Sequence, residues 1–255
     1  VNRLSIGLQS ANDGERRILG RRAGKSEVQS VVSRAKKAGI NNISLDVMLG
    51  VPGQTKESLK STLDFCISSG VPHLSCYILK IEENTPFFRM RDKLPFPSDD
   101  DTADMYLFMC EYLEKHGIMQ YEISNFAVPG FESRHNLKYW HDEEYLGIGA
   151  SAHSFLGGKR TYYPRDIEYF ISGNERLTEG DGGDEEEFCM LALRLREGLT
   201  QERFYARFHH EIPQKMLESA KQYEKYGLCS CESGGIFLTR RGFLLSNSVI
   251  SEIIL

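Results

Sequence analysis

The chain has 255 residues, 40% of them hydrophobic and 26% charged, with a formal net charge of -5. That is the composition of a globular protein with room for one large domain, or for a large and a small one. The acidic balance excludes a dedicated nucleic-acid carrier, which needs a dominant basic face, and no apolar run approaches the length of a membrane-spanning helix.

Residues 3–9, RLSIGLQ, read as a buried strand ending in a polar side chain, and a short helix follows over 12–21. Ser26 with Gln29 reads as a capping box opening a helix whose Val28, Val31, Val32 and Ala35 share one face, with Gly39 as its stop. Next come a strand NISLDVM (42–48), a GVPGQT loop, and a helix capped by Thr55 that turns Leu59, Leu63, Cys66 and Ile67 inward. A strand HLSCYIL (73–79) closes the run. Strand, helix, strand, helix, strand at these spacings implies parallel pairing with right-handed crossovers, so the first part is α/β. Barrel and open sheet both fit the pattern. In either, functional groups belong at the carboxyl ends of the strands, where Gln9 and Asp46 with its GVPG loop fall. A carboxylate inside an apolar strand needs a partner, which for Asp46 is a ligand hydroxyl or a structural network.

Residues 86–97 read as a basic loop. Ser98 and Asp99 to Asp101 then cap a helix carrying Met105, Phe108, Met109, Tyr112 and Leu113, and YEISNFA (121–127) offers another strand. From Asp184 short helices dominate, with caps at Thr200 and Pro213. A hairpin around Gly234-Gly235 and a last helix complete a small winged-helix-like domain. The division expected is 1–160, a linker over 161–183, and 184–255. The six cysteines are scattered and mostly sit in apolar patterns, which reads as a cytosolic protein with reduced thiols. Cys229 and Cys231 form a CxC with no further ligand nearby, and His209 and His210 read as surface residues.

The densest chemistry lies in RHNLKYWHDEEYLGIGASAHS, Arg134 to Ser154. His135 and Asn136 precede Tyr139 and Trp140, the chain's only tryptophan. An imidazole can ligate haem iron axially while aromatic faces cover the macrocycle and an amide orients the ring or a propionate. A hydrogen-bonded core histidine is the alternative. Residues 147–152, GIGASA, match GxGxxA formally, yet no amphipathic helix follows to present its amino end to a phosphate, so the dinucleotide reading fails. Ser151 likewise lacks the second glycine of a hydrolase elbow.

Taken together, VNRLSIGLQ, LGRR (19–22), NISLDVMLGVPGQT, YEISNFAVPG, HNLKYW and YLGIGASAHS resemble the HemW-type haem chaperones. These are relatives of oxygen-independent coproporphyrinogen III oxidase among the radical S-adenosylmethionine proteins. The resemblance spans essentially the whole chain. It implies a partial (β/α) barrel followed by the family's small C-terminal domain, with Gln9, Arg21 and Asp46 in the S-adenosylmethionine pocket. An arginine fork suits the methionine carboxylate, Asp46 the ribose hydroxyls, and Gln9 either portion. It also implies that HNLKYW is the HNxxYW element, with His135 as axial ligand and Asn136, Tyr139 and Trp140 around the haem. The implied partners are haem and a haem-accepting protein, met transiently and at a membrane where the acceptor lies there.

The chain departs from the family in lacking the CxxxCxxC loop that holds a [4Fe-4S] cluster, together with the glycine-rich element after the second strand. The expectation is therefore an N-terminally truncated sequence that begins near the fourth strand, the cluster belonging to the full-length protein only. A haem carrier is the favoured reading and an oxidase that decarboxylates porphyrinogen propionates the alternative. A nucleic-acid-binding winged helix has only the C-terminal topology behind it, because Arg203, Arg207, Lys215, Arg240 and Arg241 are dispersed among acids.

Overall fold

A strand buried on one face alternates its side chains, and the two-residue period organises the first part of this protein. In β2 (Asn42–Leu49), Ile43, Leu45, Val47 and Leu49 are fully buried while Asn42, Ser44, Asp46 and Met48 take the opposite face. The structure, a computed structural model, describes residues 1–254 and divides into two compact units, Val1–Glu132 and Ser133–Leu255.

The first unit runs β1 (Arg3–Gln9), α1 (Asp13–Ile18), α2 (Lys25–Lys37), β2, α3 (Lys56–Ser68), β3 (His73–Ile78), α4 (Pro86–Met90), α5 (Asp99–Lys115), β4 (Met119–Gln120) and β5 (Asn125–Ala127). Its strands form one sheet in the order β1-β2-β3-β5-β4. β1, β2 and β3 are parallel, as the strand-helix alternation implies, whereas β5 runs antiparallel to β3. Leu59, Leu63 and Cys66 of α3 and Met109 and Leu113 of α5 are buried with Leu74, Cys76 and Phe126 of the sheet. Thr55 and Ser98 cap α3 and α5 as expected, each accepting a backbone N–H of the first turn.

Several boundaries differ from the sequence expectation. Gly24, not Ser26, is the N-cap of α2; the Glu27 carboxylate accepts the Gly24 N–H (2.9 Å), and Gln29 instead accepts the Ser69 hydroxyl (2.8 Å). The basic stretch after Thr85 is not a loop, because that threonine caps α4 with Pro86 at its first position. YEISNFA is not one strand, since a turn over 121–124 splits β4 from β5.

The second unit contains α6 (Arg134–Trp140), a three-stranded antiparallel sheet of β6 (His153–Leu156), β7 (Lys159–Tyr162) and β8 (Leu177–Asp181), and α7 (Ile167–Ile171) between the last two strands. It continues through α8 (Glu185–Ala192), α9 (Gln201–Phe208), α10 (Gln214–Glu224), the hairpin β9 (Cys229–Glu232) and β10 (Gly235–Leu238), α11 (Arg240–Leu244) and α12 (Ser246–Ile254). The expected linker over 161–183 is therefore sheet and helix, and the expected boundary at 160 falls inside a strand. The segment lacks clear periodicity because β8 is exposed on most of its length. The HNLKYW segment belongs to this unit and not to the barrel-like one. The hairpin turns at Ser233-Gly234, whose φ values of 50 and 76 fit a tight hairpin turn, one residue earlier than read from the two glycines.

On the polar face of the first sheet His73 is fully buried, with Nδ1 bonded to the Ser44 hydroxyl (2.8 Å) and Nε2 to the Tyr121 hydroxyl (2.9 Å). Burial first, and the positive charge of Arg3 second, pull its pKa down to about 3. The folded state thus holds it neutral while the unfolded chain takes up a proton below about pH 6.5, so acid removes stability between these two values. Taking the protein from pH 7 to pH 5 is expected to cost about 2 kcal/mol more in wild type than in His73→Gln, read from urea midpoints. Equal pH slopes in the two proteins would show that His73 does not carry this linkage.

Candidate functional site

The polar face of the first sheet is a continuous hydrogen-bonded surface. Register places Arg3 beside Asn42, Ser5 beside Ser44 and Gly7 beside Asp46, then Asp46 beside Ser75 and Ser75 beside Asn125. Arg3 donates to Asn42 (2.6 Å), the Ser5 hydroxyl donates to Asp46 Oδ1 (2.9 Å), and Ser44 meets Ser75 (3.2 Å). Asp46, half-buried, thus has a structural partner for one oxygen. Gln9 is buried at the end of β1, where the β1–β2 register shifts and its φ is 66. Its carboxamide folds over Gly7, where a Cβ would stand 3.0 Å from Nε2. Asn125, in the row that includes Asp46, donates to the buried Glu122 carboxylate, and its Oδ1 is a buried acceptor without a hydrogen-bond partner among the described residues. An acceptor-rich row of this kind fits a ligand that brings hydroxyl or amino donors, such as an adenosyl group. Arg21 lies exposed in the loop after α1, apart from the strand residues in sequence and in the hydrogen-bond pattern.

In α6, residues four apart share a face, since each residue turns the helix by about 100°. HNLKYW therefore divides into two pairs, His135 with Tyr139 and Asn136 with Trp140. His135 is exposed, its Nε2 shares a hydrogen bond with the Tyr139 hydroxyl (2.9 Å), and the two rings meet edge to face at 5.0 Å. Tyr139 packs in the same manner on Tyr145 (4.5 Å). Trp140 is half-buried, with the Arg194 guanidinium, just past the end of α8, 6.0 Å from its ring centre. The structure thus joins imidazole and phenol and turns the indole toward α8.

A buried ion cluster anchors the end of this helix. Asp142, with φ 53 and a fully buried carboxylate, accepts from Arg207 of α9 (2.7 Å) and Arg160 of β7 (3.4 Å). Arg160 also pairs with Glu187 of α8 (2.6 Å), bonds the Tyr145 hydroxyl (3.4 Å) and lies 4.6 Å from the Phe155 ring centre. Burial raises the Asp142 carboxyl despite the two arginines. Desolvation that exceeds the Coulombic return is usual for enclosed ion pairs, so the cluster contributes position more than stability.

Two family descriptions match the chain, the radical SAM superfamily over residues 1–66 and the HemN C-terminal domain over residues 185–245. The heme chaperone HemW of Bacillus subtilis is 35% identical over 261 residues, covering 98% of this chain and 68% of that protein. HemW of Lactococcus lactis is 35% identical over 264 residues, covering 100% and 69%. This chain belongs to the HemW family. The solved structure of Escherichia coli coproporphyrinogen III oxidase, HemN, a radical SAM enzyme, superposes with a TM-score of 0.78 at 19% identity, over 99% of this chain and 64% of that one. At that identity the likeness establishes the radical SAM fold alone.

Membership of the HemW family, within the radical SAM superfamily, implies S-adenosylmethionine and a [4Fe-4S] cluster as the family's cofactors. The polar face described above fits the first. For the cluster, no group of three or more His, Cys, Asp or Glu side chains among the described residues is placed to hold a metal, so no residue of this chain is assigned to it. Cys66, Cys76, Cys110, Cys189 and Cys229 are buried, and burial pushes the thiols of Cys189 and Cys229 up to about 12, the opposite of a thiolate ligand.

Sequence reasoning missed Asp142, Arg160 and Arg207 in the second unit, and Glu122 and Asn125 in the first. It also missed Gln54, which accepts the Gly50 N–H (2.8 Å) and donates to Met48 O (3.0 Å) and to the buried Glu15 (3.3 Å), fixing the loop after β2. A polar residue carries no periodic signal for which distant side chain it will meet, whether it lies in a loop, as Asp142 does, or in an element, as Arg160 and Arg207 do. The GIGASA stretch, rejected for phosphate binding, has a packing role that its first glycine reveals. A Cβ on Gly147 would lie 2.1 Å from the His153 carbonyl oxygen, and the Gly147 N–H donates to the Ser154 hydroxyl (2.9 Å). Gly147→Ala is expected to destabilise the protein by about 1–3 kcal/mol through this overpacking, while Ile148→Ala, 78% exposed, stays within about 0.5 kcal/mol of wild type. Thermal or urea unfolding of both variants checks the contrast.

Proposed function

We propose that this chain binds haem through α6 and delivers it to an acceptor protein, the role carried in the name of its HemW relatives. The observation that supports this reading is the exposed imidazole of His135 with a phenol one turn on, in the HNLKYW helix of a chain that aligns with HemW over nearly its whole length. In this reading His135 is the axial ligand to the haem iron, and Tyr139 covers the ring edge. Asn136 and Trp140, on the neighbouring face, flank the haem only from the side, so Trp140 contributes through its packing on Arg194.

The inner face of the first sheet is assigned to S-adenosylmethionine. Asp46 takes ribose hydroxyls with the oxygen that Ser5 does not use, Gln9 hydrogen-bonds the sugar or the amino-acid portion, and Arg21 pairs with the carboxylate from its loop. When bound, that group supplies an adenosyl sulfonium open to one-electron cleavage. The likeness to coproporphyrinogen III oxidase rests on fold, and the closer kinship to chaperones favours cargo binding over propionate decarboxylation.

The Tyr139–His135 hydrogen bond makes a distinctive test possible. Iron can reach Nε2 only when that bond opens, so binding forfeits one exposed hydrogen bond, worth about 0.5–1.5 kcal/mol. Titrated with haemin and followed at the Soret band, His135→Ala is expected to lose at least about tenfold in affinity. Tyr139→Phe, which keeps the ring and frees the nitrogen, is expected to bind as well as wild type or up to about tenfold tighter. Loss of binding in Tyr139→Phe with retention in His135→Ala would move the ligand from imidazole to phenolate.

A further inference from the structure

We propose that His153 is a second coordinating imidazole for iron porphyrin in this protein, an inference that rests on the haem-binding reading above. His153 opens β6 and is half-exposed, and its Nδ1 donates to the Glu179 carboxylate of β8 (3.1 Å). A carboxylate on Nδ1 selects the tautomer that leaves the lone pair on Nε2 and raises the basicity of that nitrogen, the arrangement found behind histidines that ligate metals. His135 stands in the opposite situation, because its Nε2 is engaged by Tyr139.

The surroundings of His153 suit a flat anionic macrocycle. Its ring stacks nearly parallel on Tyr162 of β7, with centroids 5.4 Å apart and an interplanar angle of 19°. Strand register sets this pair, since His153 and Tyr162 face each other across β6 and β7. The two rings, Glu179, Ser151 and Arg165 line an open hollow of about 470 Å³. Arg165 supplies the cation that a propionate requires, and Ser151 and Thr178 supply hydroxyls at the rim. A half-exposed His–Glu pair contributes little to stability by itself, so its combination with a stacked phenol, a guanidinium and a cavity calls for a binding role.

This position is built on the same framework as His135. Tyr145, which packs on Tyr139, pairs its backbone with Phe155, and His153 precedes Phe155 by two residues on the same face of β6. Arg160 holds the Tyr145 hydroxyl and lies against the Phe155 ring. Tyr145 therefore links the segments that carry the two imidazoles, which gives a porphyrin two places to be coordinated within the second unit.

The test is a haemin titration of the protein and of His135→Ala, His153→Ala, the double variant and Glu179→Gln, read by Soret position and, after reduction, by the iron–imidazole stretching signal in resonance Raman. The expected result is that His135→Ala retains part of that signal and the double variant loses it. In the His135→Ala background, Glu179→Gln should weaken the remaining binding by about tenfold, the scale of a lost carboxylate behind a ligating histidine. Circular dichroism confirms folding of each variant, and His116→Ala, at an exposed histidine that follows α5, should change nothing. The inference is overturned if His135→Ala alone abolishes the signal, or if adding His153→Ala leaves the residual signal intact. Absence of any Soret shift in the wild-type protein would sink the haem reading itself, a different failure from either of these.

Discussion

A polar group taken out of water must find a partner, and that requirement shapes both units of this protein. In the first, Ser44, Ser75, His73 and Tyr121 satisfy one another in a hydrogen-bonded row, with Arg3, Asn42, Ser5 and Asp46 completed alongside. In the second, a carboxylate with no exposure is held between two arginines, one of which is shared with a second carboxylate. The requirement is left open at the Asn125 amide oxygen, a buried acceptor without a hydrogen-bond partner among the described residues.

The same requirement governs the histidines. An imidazole has two nitrogens, and the partner of one decides what the other can do. In His73 both are engaged and the ring is a neutral structural element. In His135 the far nitrogen is shared with a phenol in the next turn of its own helix, so coordination there competes with a local hydrogen bond. In His153 the near nitrogen is tied to a carboxylate and the far one is left with its lone pair. Three histidines of one chain thus occupy three states that residue type does not distinguish.

The ion cluster around Asp142 ties these observations together mechanically. It joins the end of α6 to β7, α8 and α9, and through Arg160 it orients Tyr145, on which Tyr139 packs. The region that carries the HemN C-terminal domain therefore contributes side chains that fix the HNLKYW helix. Enclosed charges are a poor source of net stability but a good source of unique geometry, which a coordinating side chain needs.

Much of the architecture was legible from residues alone, because short-range physics writes it locally. Thr55 and Ser98 mark helix starts, the apolar stripes of α3 and α5 mark buried faces, and the spacing of the first three strands marks their parallel order. The family resemblance was legible in motifs for the same reason. Illegible were the strands of 153–181, whose exposed residues alternate weakly, and the antiparallel return of β5, which depends on where a turn after Gln120 places the chain. The sequence determined by itself that His135, Asn136, Tyr139 and Trp140 share one short helix-compatible stretch. Only the tertiary structure decided that they face two ways, that Asp142 is enclosed and that Glu179 stands behind His153, because these pairings join residues 18 to 65 positions apart, or turn on the helical period, and no local preference encodes them.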